Sequence, residues 1–163
     1  MTTKHIAINL GSLDAEKVAQ LLDMVNGFAE ADAPDAVDPN MEAVSALADA
    51  SKHLYKCRDM LVKAASGAAV GADDADEAFA RAAHEAESAR WGVEDVMPGV
   101  ECEAAREDLR EACWRIGRVE SAARDAGEAA GKGRGGLAAR MAGDAVNDAI
   151  VAFGLVTASV AAM

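Results

Sequence analysis

The chain has 163 residues and a mass of 16.8 kDa, enough for one well-formed core, and residues 1–163 are expected to form a single helical domain. Its 28 acidic and 16 basic side chains leave a formal net charge of -12, which repels phosphate backbones and anionic membranes and argues against direct binding to either. Roughly a quarter of the residues are alanine and only 4% are aromatic, so the expected fold is all-α: a bundle of about five long, closely packed helices.

The sequence opens without the charged, apolar and cleavable pattern of a signal peptide, and none is expected. Cys57, Cys102 and Cys113 are odd in number and lack CxxC spacing, which predicts reduced thiols and a cytoplasmic setting. On one helix Cys102 and Cys113 would be separated by about 16 Å of rise, too far for a disulfide.

In chain order, residues 4–10 alternate His5, Ala7 and Asn9 with Ile6, Ile8 and Leu10 and read as a short extended segment closed by Gly11. A lone strand makes no sheet. It is expected to pack as an arm on the bundle or to pair with its copy in a homo-oligomer. Ser12 suits an N-cap, and Val18, Leu21, Leu22, Val25 and Phe28 recur at helical spacing over residues 12–31.

The turn-rich 32–40 segment DAPDAVDPN places Pro39 at the first position of a second helix, predicted to run to about residue 66 with Met41, Val44, Leu47, Leu54, Met60 and Leu61 inward. Residues 67–74 break the pattern. Asp73, Asp74, Asp76 and Glu77 then load the start of a third helix with negative charge, Phe79, Ala82, Ala83, Ala86 and Val93 form its stripe, and Pro98-Gly99 ends it.

A fourth helix is predicted over about residues 100–130, with Leu109, Ala112, Cys113, Ile116, Val119 and Ala123 buried. The spacings Glu111/Arg115 and Glu120/Arg124 suit helical ion pairs on a solvated outer face. GKGRGG, residues 131–136, reads as a flexible link to a last helix that starts at Leu137.

Residues 149–163 carry no charge. As a helix they span roughly 22 Å against a bilayer core of about 30 Å, and the residues upstream are Asp144 and Asp148 rather than basic anchors. The reading preferred is a central core helix buried on most sides. Gly154, Ala158 and Ala162 form a small-residue seam, so a subunit interface and a lipid contact stand as alternatives.

An internal repeat with an offset of 62 residues pairs Leu47 with Leu109, Leu54 with Ile116, Cys57 with Val119, Gly71 with Gly133, Phe79 with Met141, and Trp91-Gly92-Val93 with Phe153-Gly154-Leu155. Two tandem helical hairpins would produce it, as would shared patterning of alanine-rich helices.

No catalytic set is recognisable. GEAAGKG, residues 127–133, lacks the hydroxyl residue and the preceding strand of a phosphate loop and reads as a connection between helices. His53 and Cys57 share a helical face, and His84, Cys102 and Cys113 could add soft ligands, but thiols on alanine-rich faces are ordinarily core filler. His84 beside Glu85 and Glu87 reads as surface charge, and Trp91 and Trp114 as large plugs among alanines. No metal and no cofactor is expected.

Acidic side chains gather at Glu101, Glu103, Glu107, Asp108 and Glu111 on one predicted helix and at Asp144 and Asp148 on the next. Opposed carboxylates are how a bundle holds magnesium beside a nucleotide phosphate. Over residues 109–153 the pattern resembles that of the all-helical nucleotide pyrophosphohydrolases of the MazG type, in which one helix carries an ExxE cluster and a later one an ExxD pair. The resemblance implies magnesium ligands at Glu111 and Asp144, whereas Trp114 and Met141 stand where two further carboxylates belong, so the implied enzyme is a degenerate one.

Three functional classes follow. The preferred one is a non-enzymatic acidic helical protein that binds a basic protein partner through Asp73, Asp74, Asp76, Glu77, Glu101, Glu103, Glu107 and Asp108, including the case in which it inhibits that partner by occupying a nucleic-acid site. The second is the magnesium enzyme, using Glu107, Glu111, Asp144 and Asp148. The third is a structural or assembly subunit with its apolar C-terminal helix at an interface.

Overall fold

The computed structural model describes residues 39–163 as an all-α bundle, with no strand among them. Four helices follow one another: α1 (Pro39–Val70), α2 (Ala75–Val96), α3 (Glu103–Gly131) and α4 (Gly135–Ala162), with a 3-10 turn at Met97–Gly99. The extended segment expected at residues 4–10 and the helix expected at residues 12–31 lie outside the described residues.

Neighbours in sequence are neighbours in space, and α4 returns to pack on α1, so the helices form an up-down-up-down ring. Pro39, the 97–99 turn and the end of α4 share one end of the bundle. The α1–α2 and α3–α4 turns share the other.

Both turns are closed in the same way. Gly71 (φ 76°) and Gly133 (φ 70°) occupy the left-handed region just past α1 and α3. Ala72 N–H donates to Gly67 O at 2.9 Å and Gly71 N–H to Ala68 O at 3.2 Å; Arg134 donates to Ala129 O at 2.9 Å and Gly133 to Ala130 O at 2.8 Å. Each set is a Schellman cap, which satisfies the last carbonyls of its helix and needs a residue without Cβ strain. The GKGRGG segment is therefore a fixed turn rather than a flexible link.

The core is built mostly from small side chains. Leu47, Leu54, Leu61, Phe79, Val93, Leu109, Ile116, Val119 and Val156 are essentially inaccessible, and alanines such as Ala82, Ala86, Ala112, Ala126, Ala142 and Ala152 fill the seams between them. Such seams let backbones approach closely: a Cβ on Gly127 would lie 3.3 Å from the Phe79 Cβ, and one on Gly92 3.4 Å from the Ala50 Cβ. There is no room for an indole. Trp91 and Trp114 are 59% and 55% exposed, which corrects their reading as interior plugs.

The C-terminal helix is also placed differently from expectation. In a ring of four no helix is central; α4 is one wall, buried through Ala138, Ala142, Ala145, Ala149, Ala152, Val156 and Ser159. Among the described residues it is the one helix apolar and long enough to cross a membrane by length and composition, with a mean hydropathy of 1.7, yet only 33% of that apolar stretch is buried.

Packing repeats between the hairpins. Leu47 and Leu109, Leu54 and Ile116, and Cys57 and Val119 are all buried at the offset of 62 residues seen in the sequence. In the second helices the register moves by one: Ala75, Phe79, Ala82, Ala86, Ala89 and Val93 correspond in burial to Ala138, Ala142, Ala145, Ala149, Ala152 and Val156. One residue more separates Gly133 from Ala138 than separates Gly71 from Ala75. Hence Phe79 matches Ala142 rather than Met141, and Trp91 has no aromatic counterpart at Phe153.

Gly135 is where α4 meets α1. A methyl there would sit 1.9 Å from the Ala68 carbonyl oxygen, whereas one on Gly136 would meet nothing within 4 Å. Gly135→Ala is expected to destabilise the fold by about 2 kcal/mol or more because backbone must move. Gly136→Ala should be neutral or stabilise by about 0.5 kcal/mol through the unfolded chain. Denaturant unfolding of the two variants checks both signs.

Candidate functional site

The eight carboxylates singled out by sequence form two groups, not one. Asp73, Asp74, Asp76 and Glu77 lie at the turn end, where α2 begins; Glu101, Glu103, Glu107 and Asp108 lie at the opposite end, where α3 begins. The 22 residues of α2 separate them by about 33 Å. All are exposed except Asp108, which is half-buried.

Two of the eight are neutralised. Glu77 pairs with Arg81 at 2.5 Å, and Glu103 with Arg106 at 2.7 Å and Arg110 at 3.2 Å. The other six have no ion-pair partner among the described residues. Glu42 and Asp95, which sequence reasoning passed over, join the α3-end group as exposed carboxylates in the first turn of α1 and the last turn of α2.

Along the middle of the bundle the carboxylates are engaged. Asp148, buried on α4, accepts from Arg115 at 2.9 Å and pairs with Arg118 at 3.2 Å. Glu120, buried on α3, pairs with Arg124 at 2.7 Å, and Arg90 Nε of α2 approaches it to 3.4 Å. His53 of α1 shares a 2.6 Å hydrogen bond between Nδ1 and Glu85 of α2. The Glu120/Arg124 pair is thus present but not on a solvated face as expected, because Glu120 turns toward α2.

These cross-helix pairs follow the packing repeat. His53 stands in the first hairpin where Arg115 stands in the second, and Glu85 where Asp148 stands, once the one-residue shift is applied. In each hairpin a nitrogen-bearing side chain of the first helix reaches a carboxylate of the second, an imidazole in one and a guanidinium in the other.

The second-helix carboxylates therefore do not converge on a cation site. Asp148 already faces two guanidinium groups, and Glu111 pairs with Arg115 at 2.8 Å. Glu107 lies about 12 Å along α3 from the Arg115 level. Asp144 is exposed and lines a shallow groove of about 740 Å³ with Trp114, Gly117, Arg118 and Met141. Arg115 and Arg118 lie 5.7 and 4.9 Å from the Trp114 ring centroid, so the positive charge near Asp144 is supplied by arginine. Among the described residues no group of three or more His, Cys, Asp or Glu is placed to hold a metal.

A second cleft, of about 610 Å³, lies at the turn end between Gly71, Ala72, Gly133 and Gly135, with Asp73 and Asp76 on its rim. Its acidic rim repels phosphate, and Lys132 is occupied by Glu128. His84 is exposed and lies 3.8 Å from Glu87. Cys57 is fully buried and its thiol is pushed up to about 12 by burial and then by Glu85; Cys113, half-buried, is pushed up to about 11 by burial and then by Glu94. Such thiols are neutral and unreactive at neutral pH.

Comparison with known proteins gives no match: no family model, no curated protein and no solved structure aligns with the chain.

Removing the Asp148 carboxylate takes from Arg115 and Arg118 their shared partner across the α3–α4 seam. Asp148→Ala is expected to cost on the order of 2 kcal/mol, against less than about 0.5 kcal/mol for Asp144→Ala on the exposed neighbouring turn, measured by chemical unfolding. Cys57 gives a pH dependence. Its raised folded value means that the neutral thiol's contribution is complete below about pH 9 and is lost as pH rises toward about 12. Cys57→Ala should flatten the alkaline decline of thermal stability across that interval, read by circular dichroism melts.

Proposed function

We propose that the protein is a non-enzymatic, cytoplasmic interaction protein that presents its two acidic ends to a basic protein partner. The observation that carries this reading is the sorting of charge. Carboxylates along the bundle are largely consumed in ion pairs, whereas Asp73, Asp74 and Asp76 at one end and Glu101, Glu107 and Asp108 at the other are without cationic neighbours among the described residues. Unneutralised charge of one sign on a rigid scaffold raises the encounter rate with an opposite surface and selects against like-charged ones.

The separation of the ends, about 33 Å along α2, is close to one turn of duplex DNA, roughly 34 Å. A partner surface that ordinarily grips phosphates one turn apart would match both ends at once, which favours the inhibitory form of the reading. Rigidity supports it as well, because the capped turns fix where the α2 carboxylates point.

An arginine- and lysine-rich peptide long enough to span both ends serves as the probe. The parent chain should bind it with an affinity that falls steeply between low and physiological salt. Replacing Asp73, Asp74 and Asp76 with Asn, or Glu101, Glu107 and Asp108 with their amides, should each weaken binding by about tenfold while leaving the melting temperature unchanged. Calorimetric titration that finds salt-independent binding, or triple variants that bind as tightly as the parent chain, rejects the proposal.

A further inference from the structure

α4 is the most apolar of the four helices, yet only 33% of its apolar stretch is buried. Ion pairs stand on the outer faces of the others: Lys63 with Asp59 on α1, Arg81 with Glu77 on α2, Arg110 with Glu103 on α3. From residue 149 onward α4 has no charged side chain to turn outward. Val151 is 40% exposed, Ala158 and Ala161 are exposed, and Phe153, Leu155 and Val160 are half-buried. On a protein of net charge -12 an apolar strip of this kind marks a contact surface.

We propose that a second copy of the chain covers this strip, α4 against α4 and antiparallel, about a two-fold axis beside Val151. Charge supplies the first reason. Two bodies of charge -12 repel, and a surface without charge is where they meet at least cost, whereas the same surface offers a basic partner nothing to pair with.

Spacing supplies the second. Asn147, Val151, Gly154, Ala158 and Ala161 follow one another at intervals of four and three residues, the heptad seam along which two helices pack. They lie opposite the buried Ala142, Ala145, Ala149, Ala152 and Val156, so the seam points away from the bundle. Arg140 continues it one heptad upstream.

Self-complementarity supplies the third and selects the antiparallel arrangement. Val151 is midway between Arg140 and Ala162, so an axis beside it sets Arg140 of each copy against the last turn of α4 in the other. That turn has no basic residue of its own, and Arg140 is exposed with no ion-pair partner among the described residues. A cation beside the carbonyl end of a helix is favourable. Asp148 is held by Arg115 and Arg118, and Asp144 stands about 21 Å along the helices from its copy, beyond the screening length of about 8 Å at physiological salt. A parallel pair would instead put Asp144 beside Asp144 and leave both C-terminal turns without a cation.

Sedimentation equilibrium of the full chain tests the proposal. A dimer is expected that tightens between low and physiological salt, because the two copies carry charge of the same sign; binding of a basic peptide changes in the opposite sense, so the two readings are separable. Val151→Asp, which sets two carboxylates together at the axis, should weaken the dimer by about a hundredfold, and Arg140→Glu by roughly tenfold, with unchanged circular dichroism because both positions are exposed. Under mild oxidation V151C should join to V151C of the other copy, faster than S121C on the exposed face of α3 joins to its own copy. A chain that stays monomeric up to about 0.2 mM overturns the proposal and leaves the strip to the residues before Pro39 or to a different protein. So does a dimer that V151D leaves intact, or cross-linking no faster at position 151 than at position 121.

Discussion

Everything in this bundle depends on how closely its helices approach one another. Alanine at the seams, and glycine where two backbones nearly touch, set the spacing; Gly135 against the Ala68 carbonyl is the tightest case. Small residues remove little apolar surface each, so cohesion comes from many dispersion contacts across long, closely matched faces rather than from a few large anchors. The consequences run outward. A core this narrow accepts Phe79 but no indole, which leaves Trp91 and Trp114 at the surface, and Trp114 becomes a platform for Arg115 and Arg118 instead.

Close approach also explains where the ion pairs go. When two helices nearly touch, the side chains flanking the seam cannot all be apolar without burying an overwide strip, and long arginine stems can cover the seam while their heads reach a carboxylate on the neighbour. The bundle uses this device at Arg115 with Asp148 and at Arg90 with Glu120, and an imidazole takes the guanidinium's place at His53 with Glu85. The first and last of these occupy equivalent places in the two hairpins. They differ in one respect: the α3–α4 contact uses a guanidinium, which forks to Glu111 as well as Asp148, whereas the α1–α2 contact is a single imidazole hydrogen bond.

Much of the fold was legible in the sequence, and the failures have a common cause. Pro39 at a helix start, the break before Ala75, Pro98-Gly99 and the two cap glycines are local signals, and the helices lie where they point. Apolar periodicity identified the inward faces of α1, α2 and α3, apart from Met41, which is exposed, because leucine or isoleucine in α1 and α3 and Phe79 with Val93 in α2 mark a direction. In α4 nearly every residue is small or apolar past Ala149, so periodicity marks no direction there, and hydrophobicity alone pointed to a helix buried on most sides. Glu120 was misplaced, and the burial of Asp148 not foreseen, for a related reason. They sit at the flank of the buried stripe, where the difference between core and surface is decided by the neighbouring helix and not by spacing along their own. The one-residue shift between hairpins was hidden similarly, since alanines align about as well in either register.

The sorting of carboxylates between the middle and the ends of the bundle separates two jobs that share one residue type. Asp148 and Glu120 neutralise arginines that the seams themselves require, so changing them alters packing first and surface charge second. Asp73, Asp74, Glu101 and Glu107 pair with no cation among the described residues and are exposed, and no side-chain hydrogen bond caps the starts of α2 and α3 beside them. A negative first turn contributes a few tenths of a kcal/mol through the helix dipole, but that accounts for one or two such residues at each start, not for clusters of three and four. Under the proposed reading the ends, rather than the groove beside Trp114 or the glycine cleft, are the surfaces that a basic partner would meet.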